Sequence, residues 1–84
     1  MKEIRLRPKT DDHDLAFKTR AARRMIEAGH SVKIVVRFRG REITHPEKAR
    51  EQLAIMLPAL ADVANVDGRI LLEGRAMTVL VVPR

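Results

Sequence analysis

Cysteine, tryptophan and tyrosine are all absent from this sequence of 84 residues. Without cysteine there is no disulfide framework, no thiolate metal site and no cysteine nucleophile. Phenylalanine occurs only twice, so the core must be built from Leu, Ile, Val, Met and Ala. Phe38 falls on an apolar strand face and Phe17 borders a helix. Binding of single strands by stacking bases on aromatic rings therefore has no evident platform. Ser31 is the sole serine, and nothing in the sequence pairs it with a base. No apolar run approaches the roughly 18 residues of a membrane span. The N-terminus lacks a signal-peptide hydrophobic region, and no Gly-rich phosphate loop occurs. These absences lead us to expect a soluble cytoplasmic protein that is not an enzyme and has no cofactor, membrane or small-molecule partner.

What is present is positive charge. Lys and Arg total 17 against 11 Asp and Glu, a formal net charge of +6. On so small a body that excess attracts polyanions. Twelve of the cations are arginines, whose planar fork binds phosphate bidentately where Lys acts as a point charge. Apolar residues make up 45% of the chain, enough for a folded core and against disorder. The length allows one domain, spanning residues 1–84, with a thin two-layer core.

The apolar spacing predicts six elements. Ile4 and Leu6 alternate with Arg5 and Arg7, as in a strand with one buried face that ends at Pro8. Asp11 or Asp12 is placed to cap a helix over residues 14–28, closed by Gly29. Residues 31–39 alternate again, with Val32, Ile34, Val36 and Phe38 on one face and Lys33, Val35, Arg37 and Arg39 on the other. A second helix begins near His45, capped by Thr44 or His45, with Pro46 in its first turn. Its stripe is Ala49, Leu53, Met56, Leu57, Leu60 and Ala64, with Pro58 expected to kink it. Asp67-Gly68 reads as a turn. Strands at 70–73 and 77–82 then follow, joined by Gly74-Arg75 as a type II′ hairpin. The order β-α-β-α-β-β with right-handed crossovers gives an α+β two-layer sandwich, a four-stranded mixed sheet with two helices on one face.

The charges cluster on this frame. Residues 100° apart on the first helix place Arg20, Arg23 and Arg24 within an arc of about 100°, with Glu27 the one carboxylate among them. Unpaired like charges at this spacing disfavour the helix slightly, which suggests that function offsets the cost. Lys18 falls on the apolar side, where pairing with Asp14 one turn earlier is the simpler account and reaching over the helix edge to a phosphate the other. Arg37, Arg39 and Arg41 surround Gly40, which allows close backbone approach to a ligand. Arg7 and Arg75 lie in loops. Several separated guanidinium groups suit phosphates on a folded RNA, read by backbone and shape. Asp11, Asp12, His13 and Asp14 resemble a metal site in composition, but acids are favoured at a helix start anyway. His30 and His45 flank helix ends, where capping or surface roles suffice. No catalytic or metal site is expected. The main alternative is a basic interaction module that meets an acidic protein, with Ile55 as an apolar contact.

The segments KEIRLRP (2–8), DDHD (11–14), ARRMIEAG (22–29), VRFRGRE (36–42), HPE (45–47) and EGRAM (73–77), in this order and spacing, resemble the C-terminal domain of bacterial translation initiation factor 3. The resemblance covers residues 2 to 83. It implies the same two-layer fold, and initiation-factor activity through binding of a monomer to the small ribosomal subunit (16S-type rRNA) near its platform. It also implies anti-association activity, the bound domain preventing premature joining of the large subunit. RNA-contacting arginines of that family match Arg7, Arg20, Arg24 and Arg75 here, and the RFRGR loop adds Arg37, Arg39 and Arg41. A basic residue common on the outer face of the second helix is replaced by Ile55, so that helix drops out of the expected RNA-binding set. The N-terminal domain and lysine-rich linker of the full factor have no counterpart in these residues, so functions needing two domains are not implied.

Overall fold

The computed structural model describes residues 1–8, 11–40 and 46–84. Its elements are β1 (Lys2–Leu6), α1 (Asp12–Glu27), β2 (Val32–Arg37), α2 (Glu47–Leu60), β3 (Ala64–Glu73) and β4 (Ala76–Pro83). The strands form one mixed sheet in the order β1-β2-β4-β3. β1 runs parallel to β2, while β4 is antiparallel to both β2 and β3. The α+β sandwich with a four-stranded mixed sheet read from the sequence is the fold observed.

One core joins the layers. Ile4 and Leu6 of β1, Val32, Ile34 and Val36 of β2, and Met77, Val79 and Val81 of β4 turn toward the helices. They meet Leu15, Ala22 and Ile26 of α1 and Ala49, Leu53, Met56 and Leu60 of α2. Phe38, just past β2, is buried in the same cluster. β3 overhangs this core: Ala64 is buried, whereas Val66, Ile70, Leu71 and Leu72 are exposed.

α1 is closed at both ends by local chemistry. The Asp11 carboxylate accepts a hydrogen bond from the Asp14 amide at 2.8 Å, so Asp11 is the cap. At the other end Gly29 has φ +93°, a left-handed conformation that glycine adopts without steric cost. Its amide donates to the Ile26 carbonyl and the His30 amide to the Met25 carbonyl, the paired bonds of a Schellman closure.

Two expectations for the second half need correction. Helix α2 does not carry its stripe past Pro58 as a kinked continuation; it ends two residues later at Leu60, and Ala64 opens β3. Proline removes one backbone donor, and the final turn tightens, with the Ala61 amide donating to the Pro58 carbonyl at 3.3 Å. Asp67-Gly68 is not a turn between α2 and a short strand. β3 runs through it, with a register shift between Asp67 and Leu71. The long β4 offers partners to Ala64, Asn65 and Val66, and this pairing overrides the local turn signal, leaving a bulge. The expected caps Thr44 and His45 lie outside the described residues. Pro46 occupies the cap position with Glu47 as the first helical residue.

Candidate nucleic-acid interface

The sheet register decides where the cations meet. Leu6 of β1 is level with Val36 of β2, so Arg7 leaves β1 beside Arg37 at the end of β2. Arg37 is in turn level with Ala76 of β4, which brings the adjoining β3–β4 turn and Arg75 to the same end of the sheet. Gly74 starts that turn at φ +57°, and among the described residues no other residue type has positive φ, as the expected type II′ geometry requires. The Phe38 amide donates to the Arg75 carbonyl at 2.8 Å, tying the turn to the segment that carries Arg39.

The result is a depression of about 410 Å³ walled by Arg5, Arg7, Lys18, Arg37, Arg39 and Arg75, with Leu6 and Phe38 behind them. Four arginines expected from sequence are thus gathered from three separate segments. Arg41 lies outside the described residues. Arg20 and Arg24 are exposed on α1 and do not line this depression. They make a second patch, and Arg20 borders a groove between α1 and α2 instead.

Arg5 and Lys18 were not on the expected list of contacts. Arg5 is level with Val35, two residues before Arg37 on the same face of β2, and this pairing is the signal that places it. Lys18 follows the simpler of the two accounts for its position on the helix wheel and adds a contact to β1. Its Nζ lies 3.7 Å from Asp14, as the simpler account expects, and donates to the Arg5 carbonyl at 2.7 Å. The ammonium is therefore pinned between α1 and the end of β1, at the wall of the depression.

Carboxylates temper part of the charge. Arg5 Nε donates to Glu3 at 2.8 Å. This hydrogen bond, with the nearby charges of Arg5, Lys33 and Arg37, holds the Glu3 carboxyl below its usual range against a smaller opposing effect of burial.

Arg23 has a different job from its neighbours on α1. Its guanidinium forks onto Asp62, with Nη1 donating to Oδ1 at 2.9 Å, and donates to the Ala59 carbonyl at 3.2 Å. Glu27 sits 3.8 Å away. The hydrogen bond from Arg23 lowers the Asp62 pKa. Arg23 thus clips α1 to the end of α2, while Arg20 and Arg24 form no ion pair among the described residues. Phe38 is buried, and Phe17 is the more exposed of the two aromatics at 56%.

The model of the translation initiation factor IF-3 C-terminal domain family matches residues 1–84. The chain belongs to this family. It is 61% identical over 84 residues to translation initiation factor IF-3 of Sorangium cellulosum, covering 100% of this chain and 35% of that protein. Identity to the factor of Myxococcus xanthus is 47% over 83 residues, 99% of this chain and 34% of the relative. For Geobacter metallireducens it is 44% over 84 residues, 100% of this chain and 49% of the relative. The chain therefore spans between a third and a half of the length of these initiation factors. Among the described residues of this IF-3 family member, no helix is long and apolar enough to cross a membrane.

Proposed function

We propose that residues 1–84 form a single ribosome-binding domain that docks, as a monomer in the cytoplasm, on structured RNA of the small ribosomal subunit. Bound there, it keeps the large subunit from joining by occupying the surface, acting as a binding module in translation initiation and not as an enzyme. The observation that carries this reading is the depression in which Arg5, Arg7, Lys18, Arg37, Arg39 and Arg75 converge. So many cations within one concavity suit a phosphate backbone folded on itself. Arg20 and Arg24 extend the contact along α1, and Arg41 continues the RFRGR segment. Membership of the initiation factor family supports the choice of ribosomal RNA over other polyanions.

The test is co-sedimentation with purified small subunits over a salt series, repeated with large subunits present. About six phosphate contacts should cost on the order of a thousandfold in affinity between about 50 and 200 mM salt, and the bound domain should lower the yield of joined subunits. Binding that ignores salt would overturn the RNA reading.

A further inference from the structure

The groove between the helices is built differently from the arginine depression. Asp12, Ala16 and Arg20 follow one another at intervals of four residues along α1 and line one side of the groove. Ile55 and Ala59, again four apart, form the opposing wall on α2, and buried Leu15 makes the floor. The Thr19 hydroxyl also reaches the groove, but it donates to the Leu15 carbonyl at 2.7 Å and is satisfied within α1. The centre is therefore apolar, with an anionic acceptor at one end and a cation at the other. Eight residues of helix separate those ends, about 12 Å at 1.5 Å per residue, comparable to a mononucleotide from base edge to phosphate.

The volume, about 540 Å³, falls within the roughly 300–1,000 Å³ range of small-ligand sites. Ile55 is 57% exposed, so its side chain is open to contact with a ligand lying in the groove. Arg23 bridges α1 to the Ala59 carbonyl and to Asp62 next to this groove.

We propose that this groove seats one unstacked guanine nucleotide of the bound RNA. The base lies against Ile55, Ala16 and Ala59, its 5′ phosphate meets Arg20, and its Watson–Crick edge faces Asp12. An ionised carboxylate is acceptor-only, and among the four bases guanine alone presents two adjacent donors on that edge, N1–H and N2–H2. The seat rests on the RNA-binding reading above and adds a base-reading element to it. It also returns α2 to the interface, through an apolar contact in place of a charged one.

The experiment is a methyl NMR titration of the full chain with 5′-GMP, 5′-AMP, 5′-CMP and 5′-UMP in parallel. GMP should move the Ile55 and Ala59 methyl signals upfield through the ring current and saturate at about tenfold lower concentration than the others, the factor expected for hydrogen bonds to a charged acceptor. Asp12→Asn should erase that preference while keeping residual binding, and Arg20→Ala should weaken all four alike. Neither residue belongs to the buried core, so the variants should stay folded. Methyl signals that GMP leaves unmoved, or shifts equal for all four nucleotides, overturn the seat. If the chain meanwhile binds small subunits with steep salt dependence, the RNA reading stands without it. If small-subunit binding is itself absent, both fall.

Discussion

Replacing Arg37 and Arg75 together by Ala isolates the electrostatic contribution of the depression. Neither side chain holds the fold together. Arg75 supports the Phe38 segment through its carbonyl oxygen, which alanine retains, and Arg37 is exposed at the end of β2. The described interface offers Arg7, Arg20, Arg24, Arg37, Arg39 and Arg75, so about six phosphates at a slope of about 0.9 each give a log–log salt slope near −5.4. Removing two contacts should bring it to about −3.6. Over a fourfold rise in salt the wild-type domain should lose roughly 2,000-fold in affinity and the double variant only about 150-fold. The assay is equilibrium anisotropy of the labelled domain with purified small subunits at constant magnesium. Arg20→Ala with Arg24→Ala should reduce the slope by the same amount, because that patch is separate and the effects should add. A double variant that binds more weakly by one constant factor at every salt concentration would refute the reasoning. The guanidiniums would then be making contacts other than phosphate neutralisation.

Two further perturbations test the scaffold that presents these charges. Leu53→Ala empties a fully buried position of α2 and should cost about 2–5 kcal/mol in a urea unfolding titration, against which a value under about 1 kcal/mol would mean that α2 is not packed on the sheet as described. Asp62 is held below its ordinary pKa of 3.8 by Arg23, so its ionised form is favoured in the folded state. Its contribution is present above that value and is lost as pH falls through the lower folded-state pKa; Asp62→Asn should therefore flatten the acid limb of a melting-temperature profile, and an unchanged limb would mean that the clip contributes nothing.

Local patterning carried much of the fold. The alternation at Ile4 and Leu6, the caps at Asp11 and Gly29, and the glycine of the final turn each act within a few residues and are visible without tertiary context. The errors came where long-range pairing competes with a local signal. Asp67-Gly68 favours a turn by itself, yet β4 supplies partners on both sides of it and the strand runs through as a bulge. Ala64 keeps helical spacing with Leu60, but Pro58 brings the helix to its end before the pattern does. For the interface, the sequence could name cations and not neighbours. Arg23 and Arg24 look equivalent on a helix wheel, and only the position of Asp62, 39 residues away, makes one a clip and leaves the other exposed.

The gathering of charge at one end follows from topology and not from any cationic run. A parallel β1–β2 pair ends both strands at the same side, and an antiparallel β4 starts there, so residues just after β1, at the end of β2 and just before β4 must be neighbours. In the sequence those positions are Arg7, Arg37 and Arg75, spread over nearly the whole chain. Concentrating them raises the folded state's self-repulsion, which Glu3 and Asp14 reduce by pairing with Arg5 and Lys18. Lys18 loses little further freedom when a polyanion arrives, since two oxygens already fix it. Arg37 and Arg75 form no ion pair among the described residues. Arg5 and Lys18 are thereby held by pairing while Arg37 and Arg75 are not, a division that composition alone could not reveal.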